Sequence, residues 1–227
     1  MEIRSYNLIK IRNLTKKFKE KTIFEDVSCT LETGKSYAIV GKSGAGKTTF
    51  LNILSGLEKA TSGKVEFNDL NINSKNRKKL YRDYFGFVFQ NFALIDTETV
   101  KQNLRLGLTN SKLSKTEKDN KMRAALVQVG LGKMQLQQKI YTLSGGEQQR
   151  VALARIILKE PKVIFADEPT GSLDAENSQL VLRTLLTSFD SDATVVIATH
   201  DPTVWQQCDY VIEVENQKIK ITKRKTN

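Results

Sequence analysis

The chain has 227 residues, 39 % of them hydrophobic and 27 % charged, which suits one large α/β domain with a full core. No apolar run approaches the ~18 residues of a membrane-spanning helix, and Met1–Lys10 lacks the charged-then-apolar order of a signal peptide, so the expected compartment is the cytosol. The net charge of +11 fits nucleic acid, anionic lipid or a nucleotide as partner, and fits plain solvated surface equally well.

Taken in chain order, Leu8–Leu31 alternates in a strand-like way around a Lys/Glu-rich turn and predicts an antiparallel pair. Ser36–Val40 predicts a short buried strand that runs straight into a glycine-rich loop. Thr48–Gly56 has helical spacing and stops at glycine. Lys64–Ile72 reads as a hairpin turning at Asn68-Asp69, and Phe85–Phe89 as a further strand. From Thr97 to about Gln138 the pattern is polar and helical, with Met122, Ala125, Leu126 and Val129 on one face. A helix (Gly145–Leu158), a strand (Val163–Ala166), a helix (Ala175–Phe189) and a strand (Thr194–Ala198) follow, then short strands at Tyr210–Val214 and Lys218–Thr222. Strand–helix alternation with wholly apolar strands predicts a mostly parallel sheet covered on both faces. The two cysteines, Cys29 and Cys208, match no metal spacing and are expected to be small buried residues.

Three segments carry chemistry. Gly41-Lys42-Ser43-Gly44-Ala45-Gly46-Lys47-Thr48 fits the phosphate-binding pattern and sits between a strand and a helix. Its glycines let successive N–H groups converge on one anion, aided by the helix N-terminus that continues through Thr49. Lys47 is expected to reach the β- and γ-phosphates of ATP, and the Thr48 hydroxyl to ligate Mg²⁺. In Val163-Ile164-Phe165-Ala166-Asp167-Glu168 a buried strand ends in two carboxylates, at the sheet edge where ligands bind in open α/β folds. Asp167 is the candidate Mg²⁺ holder and Glu168 the candidate general base for the attacking water. Leu143-Ser144-Gly145-Gly146-Glu147-Gln148-Gln149-Arg150 opens a helix with a serine and two glycines, a second anion-binding helix start. One nucleotide has no use for both loops, but two facing copies would, the serine of one capping the γ-phosphate held by the other.

On these segments the sequence resembles the nucleotide-binding domains of ATP-binding-cassette (ABC) transporters over nearly its whole length. The octet from Leu143 to Arg150 is similar to that family's signature motif. The resemblance implies a P-loop NTPase core, an N-terminal antiparallel β subdomain, and a helical subdomain inserted at about 91–159 within a single domain spanning 1–227. It also implies further roles: Gln90 as the glutamine that senses Mg²⁺ or the γ-phosphate, Asp174 of Ser172-Leu173-Asp174 at the dimer interface, and His200, the single histidine, against the γ-phosphate. Phe18 stands where the family commonly has a tyrosine stacked on adenine; it keeps the π-face and loses the hydroxyl. A lone histidine and a strand-end aromatic are also ordinary structural residues. The segments Phe85–Gln90 and Asp167–Asp174 resemble a bacterial subgroup serving lipoprotein release, macrolide export, antimicrobial-peptide export or cell-division signalling.

The implied function is ATP hydrolysis at the inner face of the cell membrane. Two copies would sandwich ATP and power a separate integral membrane permease, with no nucleic acid as partner. The alternatives are an ATPase of a transmembrane signalling complex that transports nothing, and a soluble ABC ATPase acting on ribosomes or DNA. Against the last stand the single cassette and the absence of a long heptad array.

Overall fold

The computed structural model describes residues 8–89, 91–171 and 173–224. The chain divides into two compact units, the first built from 1–85, 162–168 and 190–227, the second from 86–161 and 169–189.

The first unit carries two sheets. Strands β1 (Ile9–Phe18) and β2 (Lys21–Leu31) form the expected antiparallel pair, extended by β4 (Ser62–Phe67) and β5 (Leu70–Asn71) in the order β2-β1-β4-β5. Alternate burial along β1 places Ile9 and Ile11 in the core, and a register shift at Asn13, with φ 48°, returns Leu14 to the same face. The second sheet runs β3 (Ser36–Val40), β7 (Val163–Asp167), β8 (Thr194–Ala198) and β9 (Tyr210–Glu215) in parallel, in the order β9-β3-β8-β7. An antiparallel strand β10 (Lys218–Lys223) borders β9, and β6 (Phe85–Val88) enters the sheet at Phe85. All of Thr194–Ala198 and Val163–Ala166 is buried, as a strand covered on both faces requires. Helix α1 (Lys47–Ser55) packs on β3, β7 and β8, and Phe50 meets Phe24 edge-on at 5.4 Å between centroids.

No element is predicted over the basic run Lys75–Arg82, yet the structure holds a helix there. Asn73 Oδ1 accepts the backbone N–H groups of Lys75 and Asn76, and that turn launches helix α2 (Arg77–Asp83), anchored by the buried Leu80. Composition hid it, because a single apolar anchor leaves no periodic signal. Cys208 is buried as expected, whereas Cys29 is only half-buried, on the outer flank of β2.

The second unit is helical: α3 (Val100–Arg105) with a 3-10 turn at Leu106–Leu108, α4 (Lys115–Gln128), α5 (Gly145–Lys159) and α6 (Ala175–Thr187). Three of them begin with the same device. Thr99, Ser114 and Ser144 each accept the N–H of the residue three places on, while Gln102, Glu117 and Glu147 reach back to the cap. Met122, Ala125 and Leu126 of α4, with Val129 just past its end, are buried, matching the face expected from spacing. The expected helical stretch is split between Leu108 and Lys115 and ends early, since the chain from Leu131 to Gln138 is turn and coil. The buried Asn103 side chain ties the preceding loop down, accepting from Ile95 N–H at 2.8 Å and donating to the Ile95 and Thr99 carbonyls.

Candidate functional site

The loop from Gly41 to Gly46 leaves the carboxyl end of β3 and feeds α1. Gly41, Gly44 and Gly46 all have positive φ, at 154°, 74° and 106°. A Cβ on Gly41 would come within 2.5 Å of the Val214 carbonyl of β9, and one on Gly46 would collide with Ile23. The curl that aims N–H groups inward is therefore reserved for glycine at both ends. Lys47 Nζ donates to the loop carbonyls of Gly41 at 3.0 Å and Lys42 at 3.4 Å, so its charge sits over the loop.

Beside it, β7 delivers the two carboxylates. Thr48 Oγ1 donates to Asp167 Oδ1 at 3.1 Å. Burial pushes the Asp167 carboxyl above its usual range, and the neighbouring Glu168 adds to this, while Thr48 and Lys47 oppose it. Glu168 turns off the strand at φ 45°, a left-handed bend held by its N–H donating to Ala198 O at 2.9 Å. Its Oε1 lies 2.9 Å from His200 Nδ1, and its Oε2 accepts from Thr199 Oγ1 at 3.4 Å. A carboxylate only accepts, so in this contact Nδ1 is the donor.

Thr199 carried no signal of its own in the sequence. It is fully buried, its N–H donates to Ile39 O of β3, and its hydroxyl accepts from Asp201 N–H at 3.0 Å. The lone-pair side of the hydroxyl is thus taken, and its proton goes to Glu168. Asp201, just after the histidine, caps the short helix α7 (Pro202–Trp205), a Thr-x-Asp cue readable in hindsight.

Phe18 closes β1 with its ring 46 % exposed. Lys16 Nζ lies 4.3 Å from the ring centroid and is itself held by Glu58 and the Lys59 carbonyl. In the first unit the fold therefore bonds Thr48 to Asp167 and Glu168 to His200, while Lys47 is held by the loop's own carbonyls. The hard oxygen donors of Thr48 and Asp167 suit Mg²⁺, which takes few protein ligands and completes its shell with water and phosphate.

In the second unit, Ser144, Gly145 and Gly146 form the start of α5. Nothing lies within 4 Å of a Cβ built on Gly145, so that turn faces open space. Asp174 caps α6, accepting from the N–H and side chain of Asn177, which in turn accepts from Arg150 of α5. The same unit holds a cavity of 250 Å³ lined by Phe87, Phe89, Leu106, Arg155, Ile156 and Lys159, among others. Phe87 and Phe89 stack at 5.5 Å, and Leu106 is 49 % exposed. Gln90 and Ser172 lie outside the described residues.

The model of the family described as ABC transporter matches residues 24–171. A lipoprotein-releasing system ATP-binding protein, LolD of Buchnera aphidicola, is 38 % identical, with 93 % of this chain and 96 % of the relative covered. A macrolide export ATP-binding/permease protein, MacB of Hyphomonas neptunium, is 36 % identical over 93 % of this chain, which spans 34 % of that longer protein. Among solved structures, the dimeric post-hydrolysis state of the cassette MJ0796 bound to ADP and Pi superposes with a TM-score of 0.84 at 31 % identity, covering 96 % of this chain and all of that one.

Proposed function

The chain belongs to the ABC-transporter family of ATP-binding cassettes and is an ATPase; from that premise we propose that two copies close around two ATP molecules and drive a separate membrane permease. In this reading the N–H groups of Gly41–Thr49 hold the phosphates, and Lys47 exchanges its loop carbonyls for the β- and γ-phosphate oxygens. Thr48 and Asp167, with Gln90, would hold Mg²⁺, which when bound would neutralise phosphate charge. Glu168 accepts a proton from the water that attacks the γ-phosphorus, and the bond to the leaving ADP oxygen breaks as the new one forms. His200 faces the γ-phosphate while Glu168 orients it. Phe18 offers its exposed face to adenine. Ser144, Gly145 and Gly146 of the second copy cap the γ-phosphate from across the interface, where Asp174 also lies.

The observation that carries this reading is the bonded set Thr48–Asp167 and Thr199–Glu168–His200 at the mouth of the phosphate loop. Favouring a permease partner is the half-open aromatic cavity around Phe87 and Phe89, which would receive an apolar segment at the inner membrane face. Among the described residues, no helix is long and apolar enough to cross a membrane.

Glu168→Gln tests the mechanism. It should bind ATP yet lose about 10²–10⁴ of its phosphate-release rate, the range for removing a general base. It should also accumulate as a dimer with ATP and Mg²⁺ but not with ADP, as light scattering would report. Near wild-type turnover would remove Glu168 from this role.

A further inference from the structure

Three helices of the second unit start with reciprocal caps, but one of these caps lies on a group that the proposed mechanism needs. Ser144 Oγ has one proton, and Glu147 Oε2 accepts it at 2.9 Å. The same carboxylate oxygen accepts the Ser144 backbone N–H at 2.9 Å, while Glu147 N–H donates to the serine oxygen at 3.3 Å. These bonds, backbone first, hold the Glu147 carboxyl below the usual carboxylate range, so it is ionised at neutral pH. A γ-phosphate oxygen arriving at Ser144 needs that single hydroxyl proton and approaches a fixed negative charge.

We propose that Glu147 is a built-in competitor of the γ-phosphate for Ser144, which raises the ATP concentration at which two copies close. The inference rests on the shared-site reading above and adds a residue that sets its threshold. In chemical terms the carboxylate stands in for a phosphate: both are anions that accept from the start of a helix. Closure requires the serine proton to swing from Glu147 Oε2 to a phosphate oxygen, with no covalent change. The backbone N–H bond from Ser144 can persist, so the cap is loosened but not lost. The negative charge stays at the interface whichever way the proton points, and it acts against the phosphate through little protein.

The same unit supplies the controls. Thr99–Gln102 shows that a neutral amide closes the same cap, and Ser114–Glu117 is a serine–glutamate pair with the same reciprocal backbone caps. In a Glu168→Gln background, adding Glu147→Gln should lower the ATP concentration for half-maximal dimer formation roughly tenfold, the equilibrium equivalent of one relieved charge contact. Glu117→Gln should leave that midpoint unchanged. Glu147→Ala, which removes the competing group altogether, should shift the midpoint in the same direction as Glu147→Gln. Midpoints are read by light-scattering mass across an ATP titration with Mg²⁺ present, and circular dichroism verifies that each variant is folded. An unchanged or raised midpoint for both Glu147 variants overturns the proposal. Ser144→Arg separates the two levels of inference. If it abolishes the dimer while the Glu147 variants do nothing, the shared site stands and the competitor falls. If Ser144→Arg dimerises normally, the shared site itself fails.

Discussion

The two units handle their functional groups by opposite means. In the first, groups far apart in sequence are tied to one another: Thr48 to Asp167 over 119 positions, and Glu168 to Thr199 and His200 over 31 and 32. Parallel pairing of β7 with β8, which aligns Asp167 with Ala198, sets that geometry, and β3 holds Thr199 from the other side. In the second, Ser144 and Asp174 bond within three residues of themselves, as helix caps. A sheet edge thus pre-positions catalytic groups through long-range register, whereas a helix start offers donors that its own side chains already occupy. Chemistry belongs naturally to the first arrangement, and a reversible contact to the second.

That contrast is broken most sharply at His200. If the sheet edge builds the reacting cluster, His200→Ala should lower kcat by about 100-fold or more while ATP binding survives, in keeping with loss of a donor that stabilises the γ-phosphate in the transition state. Equilibrium binding of a fluorescent ATP analogue alongside steady-state hydrolysis checks this. A loss smaller than threefold would make the histidine an ordinary exposed residue that happens to touch Glu168.

A smaller effect is expected one residue earlier. Thr199→Val removes the hydroxyl that orients Glu168 Oε2 and leaves the Asp201 N–H without that acceptor. A hydrogen bond with a net value of ~0.5–1.5 kcal/mol predicts a fall in kcat of about 3- to 10-fold with KM for ATP unchanged. Thr199→Ser should restore it, because the hydroxyl is what matters. A rise in KM with unaltered kcat would instead assign Thr199 to the phosphate loop's support.

How far these features could be read beforehand follows from the same distinction. The strand–loop–helix run from Ser36 to Gly56 was legible because phosphate binding demands a local spacing of glycines and lysine. The parallel core strands were legible because burial on both faces leaves unbroken apolar runs. The helix at Arg77–Asp83 was not, since one buried leucine anchors it. Nor was the link from Thr199 to Glu168, because cross-strand register joins them and no spacing rule describes it. Glu147 lay in plain sight three residues after Ser144, in the pattern of a capping box. Only the atomic geometry shows that its carboxylate takes the serine proton.

The smallest expected effect concerns what the sheet-edge arrangement costs the fold. Burial raises the Asp167 carboxyl above its ordinary value, more than Thr48 and Lys47 lower it. A carboxyl raised in the folded protein binds its proton more tightly there than in the unfolded chain. It therefore favours folding below the ordinary aspartate range, and that contribution disappears as pH rises through the elevated value. At pH 7 the ionised Asp167 is a net burden on stability, one that Mg²⁺ would relieve if the carboxylate is its ligand. Asp167→Asn should consequently raise the thermal midpoint of the protein without added nucleotide at pH 7. The advantage should shrink as pH is lowered through the raised carboxyl's range, because protonation removes the buried charge. Adding ATP and Mg²⁺ should reverse the ranking, stabilising the wild-type protein more than the variant. Calorimetric scans across that pH range, with and without nucleotide, measure all three. A variant less stable than wild type at pH 7, or an advantage that does not change with pH, would mean that the Thr48 bond outweighs burial and that the metal-holding carboxylate carries no folding cost.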